Sequence, residues 1–111
     1  MSSESFEPIV GKWEEFTYFD NLALWYVCNE APPRTLALAF LEADEKVCGS
    51  LLGVVDPKRR EYIHRLMAAE KDASEDAKSQ AIEGLFLIAE GLISRKWIRK
   101  EGRFYFGQKK S

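Results

Sequence analysis

The chain has 111 residues, of which 46% are apolar and 13% aromatic, so its composition excludes a disordered chain and suits one domain with a modest core. The formal net charge of −2 and the sequence pI of about 5.5 exclude a basic nucleic-acid footprint spread over the whole chain. Two cysteines and a single histidine are too few for a zinc site, which needs about four nitrogen, sulfur or oxygen ligands in one cluster.

The N-terminal segment, residues 1–12, is polar and acidic, and we expect it to be flexible. It lacks the positively charged start and the apolar run of a signal peptide, and no apolar run approaches the roughly 18 residues of a membrane span. These features predict a cytoplasmic protein without membrane insertion. The following "KWEEFTYF" predicts a short helix whose aromatic residues, Trp13, Phe16 and Phe19, cover one end of the domain.

Helix-start signals then recur every twelve residues, at Asp20, Pro32, Asp44 and Asp56. An aspartate before a helix accepts hydrogen bonds from the unpaired N–H groups of the first turn, and a proline there has no N–H to leave unpaired. Four helices of about two turns follow, each with an apolar face at helical spacing. These faces are Leu22, Trp25 and Tyr26; Leu36, Ala37, Phe40 and Leu41; Val47, Leu51 and Leu52; and Ile63, Leu66 and Met67.

Helices this short are not stable alone, so they must stack. We therefore predict an all-α domain over residues 13–106, built as an armadillo-like stack of short helices, with an ordinary helical bundle as the alternative. "DASEDAKSQAIEGLFLIAEGLISRKW" predicts a longer helix over about 75–96, with acids in its first turn and cations in its last. "WIR" and "RFYF" around "KEG" predict two short strand-like segments joined by a turn, and residues 107–111 predict a disordered basic tail.

Catalytic signals are missing from the sequence. It contains no glycine-rich phosphate loop, no GxSxG and no HExxH. His64 lies among charged residues, which favours a solvated surface histidine over a catalytic one. Cys28 and Cys48 lie in apolar helical runs and are interpreted as buried free thiols. We therefore predict that the chain is not an enzyme and uses no cofactor.

The helix that begins at Pro57 offers the first candidate recognition surface. Its predicted partner-binding residues are Lys58, Arg59, Glu61, Arg65, Glu70 and Lys71. The alternative interpretation is a solvated charged face that only keeps the protein soluble. If the surface is functional, we expect its basic side, Lys58, Arg59 and Arg65, to contact an acidic protein partner.

A second candidate surface lies at the C-terminal end, where basic and aromatic residues alternate. It comprises Arg95, Lys96, Arg99, Lys100, Arg103, Lys109 and Lys110, together with Trp97, Phe104 and Tyr105. A helix followed by "KWIRKEGRFYF" is compatible with the recognition helix and wing of a winged-helix nucleic-acid-binding protein. The few basic residues in the preceding helix count against this alternative.

The order of these segments resembles the C-terminal region of FliG, the rotor switch protein of the bacterial flagellar motor. The resemblance covers about residues 14 to 106, and "LALAF" at 36–40 with "ADEKV" after it carries the closest match. It implies a protein-interaction module for motility and chemotaxis, with a charged rotor helix facing a stator- or rotor-like partner. Lys58 matches a basic position of the family. Arg65 and Leu66 stand where the family has two aspartates, Ser74 where it has an arginine, and Leu41 where a lysine is common.

Overall fold

A computed structural model describes residues 12–109 and shows a mostly helical architecture with a small antiparallel sheet near its C-terminal end. Six helices precede two strands within this range. They are a 3₁₀ helix over Trp13–Tyr18, α1 over Asn21–Glu30, α2 over Pro33–Glu42, α3 over Glu45–Gly53, α4 over Pro57–Ala69 and α5 over Glu75–Ser94, followed by β1 over Ile98–Glu101 and β2 over Phe104–Gly107. The flexible segment predicted over 1–12 lies outside the described residues except for its last position.

The predicted twelve-residue spacing of helix starts is confirmed. Asp20, Asp44 and Asp56 are the N-caps of α1, α3 and α4, and each side chain accepts a hydrogen bond from a first-turn N–H. Pro32 precedes α2, where Pro33 takes the first position and no side chain caps the helix. Local chemistry therefore sets all four starts, because each residue satisfies or removes an N–H that the helix leaves unpaired.

The second helix lies at the centre of the packing, because α2 packs against both α4 and α5. Leu36, Ala37 and Ala39 are fully buried within it. Small alanine side chains let neighbouring helices approach closely, while leucine fills the space between them. Phe16 of the 3₁₀ helix is also fully buried, and it stacks on Phe86 of α5 with ring centroids 5.9 Å apart.

The face of α1 that enters the core differs from the prediction. The buried residues of this helix are Ala23, Leu24, Val27 and Cys28. Trp25, predicted to face the core, is 44% exposed. The reason is that α1 is apolar around most of its circumference and packs against α3, α5 and β2, so its sequence offers two apolar stripes. The neighbouring elements, rather than the pattern, decide which stripe is covered.

The long helix ends two residues earlier than predicted. Lys96 has a left-handed backbone conformation with φ of 66°. Its N–H donates to the carbonyl of Ile93 at 3.0 Å, and the N–H of Trp97 donates to the carbonyl of Leu92 at 2.9 Å. This pair of bonds is the Schellman motif, which satisfies the last carbonyls of a helix and turns the chain away. The chain then enters β1.

The two predicted strands and the turn between them are confirmed. β1 and β2 pair in antiparallel register, from Ile98 opposite Gly107 to Glu101 opposite Phe104. Gly102 lies in the two-residue turn with φ of 60°, a left-handed conformation that glycine adopts without a steric cost. Side chains alternate across the strands, so Ile98 is buried while Phe104, three pairs away and on the other face, is half exposed.

The hairpin extends past the boundary predicted at residue 106. Gly107 is the last residue of β2, and the N–H of Gln108 donates to the carbonyl of Trp97 at 2.8 Å. The Tyr26 hydroxyl donates to the carbonyl of Gln108 at 2.6 Å. Main-chain pairing therefore holds the first part of the predicted disordered tail, and residues 110–111 lie outside the described range.

One carboxylate joins the hairpin to the first helix. Asp20 Oδ1 accepts from the N–H of Ala23 at 2.8 Å, which caps α1, and from the N–H of Gly107 at 2.9 Å. The N–H of Asp20 in turn donates to the carbonyl of Tyr105 at 2.9 Å. The capping residue thus fixes where β2 lies against the start of α1.

Candidate functional site

The fourth helix lies at the outside of the helical packing. Ile63 is its one buried residue, and Leu66 and Met67 are half-buried. Its contact with the core is made mainly through α2. Most of the circumference of α4 therefore faces solvent, which is a geometry that suits contact with a partner.

Three of the predicted partner-binding residues lie on this exposed surface of α4, namely Lys58, Glu61 and Arg65. Tyr62 is 46% exposed beside them, and the guanidinium carbon of Arg65 lies 6.0 Å from the centroid of its ring. Lys71 is exposed just beyond the helix. We call Lys58, Glu61, Tyr62 and Arg65 the α4 face.

Arg59 does not belong to the α4 face, which corrects its predicted place on the basic side. Its Nη2 donates to the carbonyls of Cys28 at 2.7 Å and Ala31 at 2.8 Å, at the C-terminal end of α1. The last carbonyls of a helix have no partner within the helix and carry the negative end of its dipole. The guanidinium of Arg59 satisfies them, so its charge is held inside the fold.

The next residue has the same role at a different helix. Arg60 Nε donates to the carbonyl of Leu52 at 3.0 Å, and its Nη2 donates to the carbonyl of Val55 at 3.1 Å. These carbonyls lie at the end of α3 and in the link to α4. The start of α4 therefore supplies one arginine to the end of α1 and another to the end of α3.

Glu70, also predicted to bind a partner, is half-buried at the C-terminal end of α4. Its Oε1 lies 2.9 Å from Nη2 of Arg34 in α2. An ion pair at the surface contributes about 0.2–1 kcal/mol to stability. Glu70 therefore helps to hold α4 against α2, and its charge is partly compensated.

The cysteines are free and buried, as predicted. Burial raises the pKa of the Cys28 thiol to about 12 against a small opposing effect of Arg59, and burial with the nearby Asp44 raises that of Cys48 to about 11. Both thiols are therefore protonated at neutral pH. Within residues 12–109 no three His, Cys, Asp or Glu side chains are grouped so that they could hold a metal ion. His64 is exposed on α4, as expected.

The structure sorts the aromatic residues of the C-terminal surface into two groups. Trp97 is half-buried against Tyr26, with ring centroids 5.1 Å apart. Tyr105 is buried and donates from its hydroxyl to Glu15 Oε2 at 2.6 Å, and burial together with this bond raises the pKa of its phenol. Phe104, 46% exposed, is the aromatic residue of the predicted set that faces outward.

Two features of the site are absent from the sequence predictions. Tyr62 was not predicted as part of the α4 face, although its spacing of three residues from Arg65 places both on one side of a helix. The second feature is a cavity of about 450 Å³ beside β1, with Lys96, Arg99 and Lys100 in its wall. No local signal shows it, because it forms only where the end of α5 meets the hairpin.

The chain matches no protein-family model, no curated protein and no solved structure. None of the helices within the described range is both long and apolar enough to cross a membrane.

Proposed function

We propose that the chain is a non-enzymatic interaction module that contacts a charge-complementary protein partner through the α4 face. The observation that carries the proposal is the position of α4, a thirteen-residue helix that buries only Ile63 and presents charged side chains around an exposed Tyr62. Tyrosine and arginine are enriched among the residues that dominate protein interfaces. The adjacent Tyr62 and Arg65 supply both groups at one point.

The basic side of this surface consists of Lys58 and Arg65, because Arg59 is engaged inside the fold. An acidic partner surface complements these two cations, while Glu61 between them fixes the orientation of docking. Each charge pair across such an interface contributes on the order of 1 kcal/mol or less. The α4 face therefore steers and positions a partner, and the ring of Tyr62 supplies the apolar contact.

The architectural part of the proposal is an armadillo-like stack formed by the short helices α1 to α4 and closed by α5. The packing of α2 against both α4 and α5 supports it. The resemblance of residues 14–106 to the C-terminal region of FliG supports, as the proposed partner, a stator- or rotor-like protein of the flagellar motor in the cytoplasm. The role is then in motility and chemotaxis.

The test is affinity purification from native cell lysate in low and moderate salt, followed by binding measurements with the recovered partner. Lys58→Glu combined with Arg65→Glu is expected to weaken binding by about tenfold or more, because two attractive pairs become repulsive. Its unfolding free energy should stay within about 0.5 kcal/mol of the parent, as for other exposed positions.

The matched control reverses two exposed lysines elsewhere, Lys12→Glu and Lys46→Glu, and makes the same change in net charge. It should leave the affinity nearly unchanged. Equal weakening by both double variants would show a general charge effect and refute the α4 face. Recovery of partners unrelated to the rotor or stator would refute the motility assignment alone.

A further inference from the structure

The charges of this chain are strongly segregated along the sequence. Residues 95–111 contain seven of the sixteen Lys and Arg residues and a single acid, Glu101. The other seventeen acids precede residue 95, which makes that part of the chain net acidic. The end of α5 and the hairpin therefore form a positively charged end on an acidic protein.

Three of these seven basic residues line one open cavity. This cavity of about 450 Å³ has Lys96, Arg99 and Lys100 in its wall, with Ile93 and Ile98 as its apolar part. The left-handed conformation of Lys96 brings the chain round from α5 into β1, so that one lysine at the helix end joins two cations on the strand. Of these cations Arg99 also lies 3.1 Å from Glu101 Oε2 in an exposed ion pair, and together the three are suited to an anionic ligand with successive charges.

An aromatic ring lies on the outer face of the same hairpin. Phe104 is 46% exposed, and the guanidinium carbon of Arg103 lies 5.5 Å from the centroid of its ring. The same guanidinium carbon lies 5.3 Å from the ring centroid of Tyr18. A planar cation beside an exposed ring can stack on a nucleic-acid base, and aromatic stacking accepts any base.

The helix before the hairpin decides between double-stranded and single-stranded nucleic acid. α5 contains four acids, Glu75, Asp76, Glu83 and Glu90, and Lys78 is its one basic residue. A recognition helix in the major groove would place these carboxylates among the phosphates of the duplex. Single strands need no such helix, because their unstacked bases reach a ring and their phosphates reach the cations.

We infer that the end of α5 and the β1–β2 hairpin bind single-stranded nucleic acid. Lys96, Arg99 and Lys100 contact successive phosphates, and Phe104 stacks on a base. This surface contains no residue of the α4 face. The inference is therefore independent of the proposed protein-interaction function.

The test compares two anions that share phosphates but differ in bases. Fluorescence anisotropy measures binding of the protein to a labelled oligothymidylate. Binding of inorganic polyphosphate is measured in a separate titration. Phe104→Ala should weaken oligothymidylate binding by about five- to a hundredfold and leave polyphosphate binding unchanged. Leu87→Ala, which truncates an exposed apolar residue of α5, should change neither affinity.

The salt dependence of oligothymidylate binding tests the phosphate contacts separately. Replacing Lys96, Arg99 and Lys100 together with Gln should reduce the slope of log affinity against log salt by about 2, because each single-strand phosphate contact contributes about 0.7. Lys58→Gln with Arg65→Gln should leave the slope unchanged. A thermal denaturation curve for each variant verifies that it is folded.

Three outcomes would overturn the inference. The first is no binding of oligothymidylate at low salt. The second is equal weakening of oligothymidylate and polyphosphate by Phe104→Ala, which would exclude stacking. The third is tighter binding of a duplex or of poly-glutamate than of the single strand, which would assign the basic cavity to double-stranded nucleic acid or to an acidic protein.

Discussion

Gly107 shows how a single missing side chain determines where the hairpin lies. A Cβ atom at this position would lie 2.6 Å from Leu22 Cγ and 2.7 Å from the backbone nitrogen of Ala23. The first turn of α1 cannot retreat easily, because Asp20 binds both that turn and Gly107 itself. Only glycine therefore permits β2 to pass this close to the helix.

We predict that Gly107→Ala lowers the free energy of unfolding by about 1–3 kcal/mol, the usual cost of an atom forced into a packed site. Urea denaturation measures the change. Gly49→Ala is the matched control, because the added Cβ in α3 meets no atom within 4 Å. It should raise the free energy of unfolding by up to about 1 kcal/mol, since alanine is the better helix former. Identical urea midpoints for the two variants would contradict the contact between β2 and α1.

At the scale of elements, the short helices depend on one another at their ends. Three of the N-caps are local aspartates, whereas the C-terminal ends of α1 and α3 are satisfied by Arg59 and Arg60 from α4. Arg95 at the end of α5 likewise pairs with Glu30 at the end of α1. Arg59 and Arg60 in the first turn of α4 therefore hold three helices in a fixed arrangement, while the α4 face, which includes Lys58 of the same turn, is exposed.

We predict that Arg59→Gln lowers the free energy of unfolding by about 1.5–3 kcal/mol, because it removes charged hydrogen bonds to two carbonyls of α1. Lys58→Gln, one residue earlier and exposed, should change it by less than about 0.5 kcal/mol. Thermal or urea unfolding of the two variants measures the difference. Equal stability of both would show that Arg59 does not hold the end of α1.

At the scale of the whole molecule, the sequence predicts the features that local chemistry decides. The four helix starts, the two short strands and the turn at Gly102 depend on residues that are close to each other in the sequence. The buried face of α1 depends on α3, α5 and β2, which meet it only in the folded chain. A helix sequence with two apolar stripes does not indicate which of the two stripes will be buried.

The candidate site divides in the same way. Lys58, Glu61 and Arg65 follow from helical spacing once α4 is recognised. The hydrogen bonds of the Arg59 guanidinium inside the fold cannot be predicted in this way. Their acceptors, the carbonyls of Cys28 and Ala31, lie about thirty residues earlier in the chain. A charged residue beside other charged residues gives no sign that distant carbonyls will bind it.

The buried thiols should also make the free energy of unfolding depend on pH in the alkaline range. Burial raises the pKa of Cys28 to about 12 and that of Cys48 to about 11, from an ordinary value of 9.0. The unfolded chain then loses these protons above pH 9 while the folded chain keeps them. Because the folded chain binds more protons, the free energy of unfolding falls as the pH rises from about 9 towards 11–12.

We predict that Cys28→Ala combined with Cys48→Ala flattens this fall between pH 9 and 10. Above pH 10 a decline should remain, because burial and the bond to Glu15 also raise the pKa of Tyr105 above its ordinary value of 10.0. Urea unfolding at intervals between pH 8 and 11 measures both slopes. The same slope in the parent and the double variant between pH 9 and 10 would mean that the thiols do not control the alkaline limit of the fold.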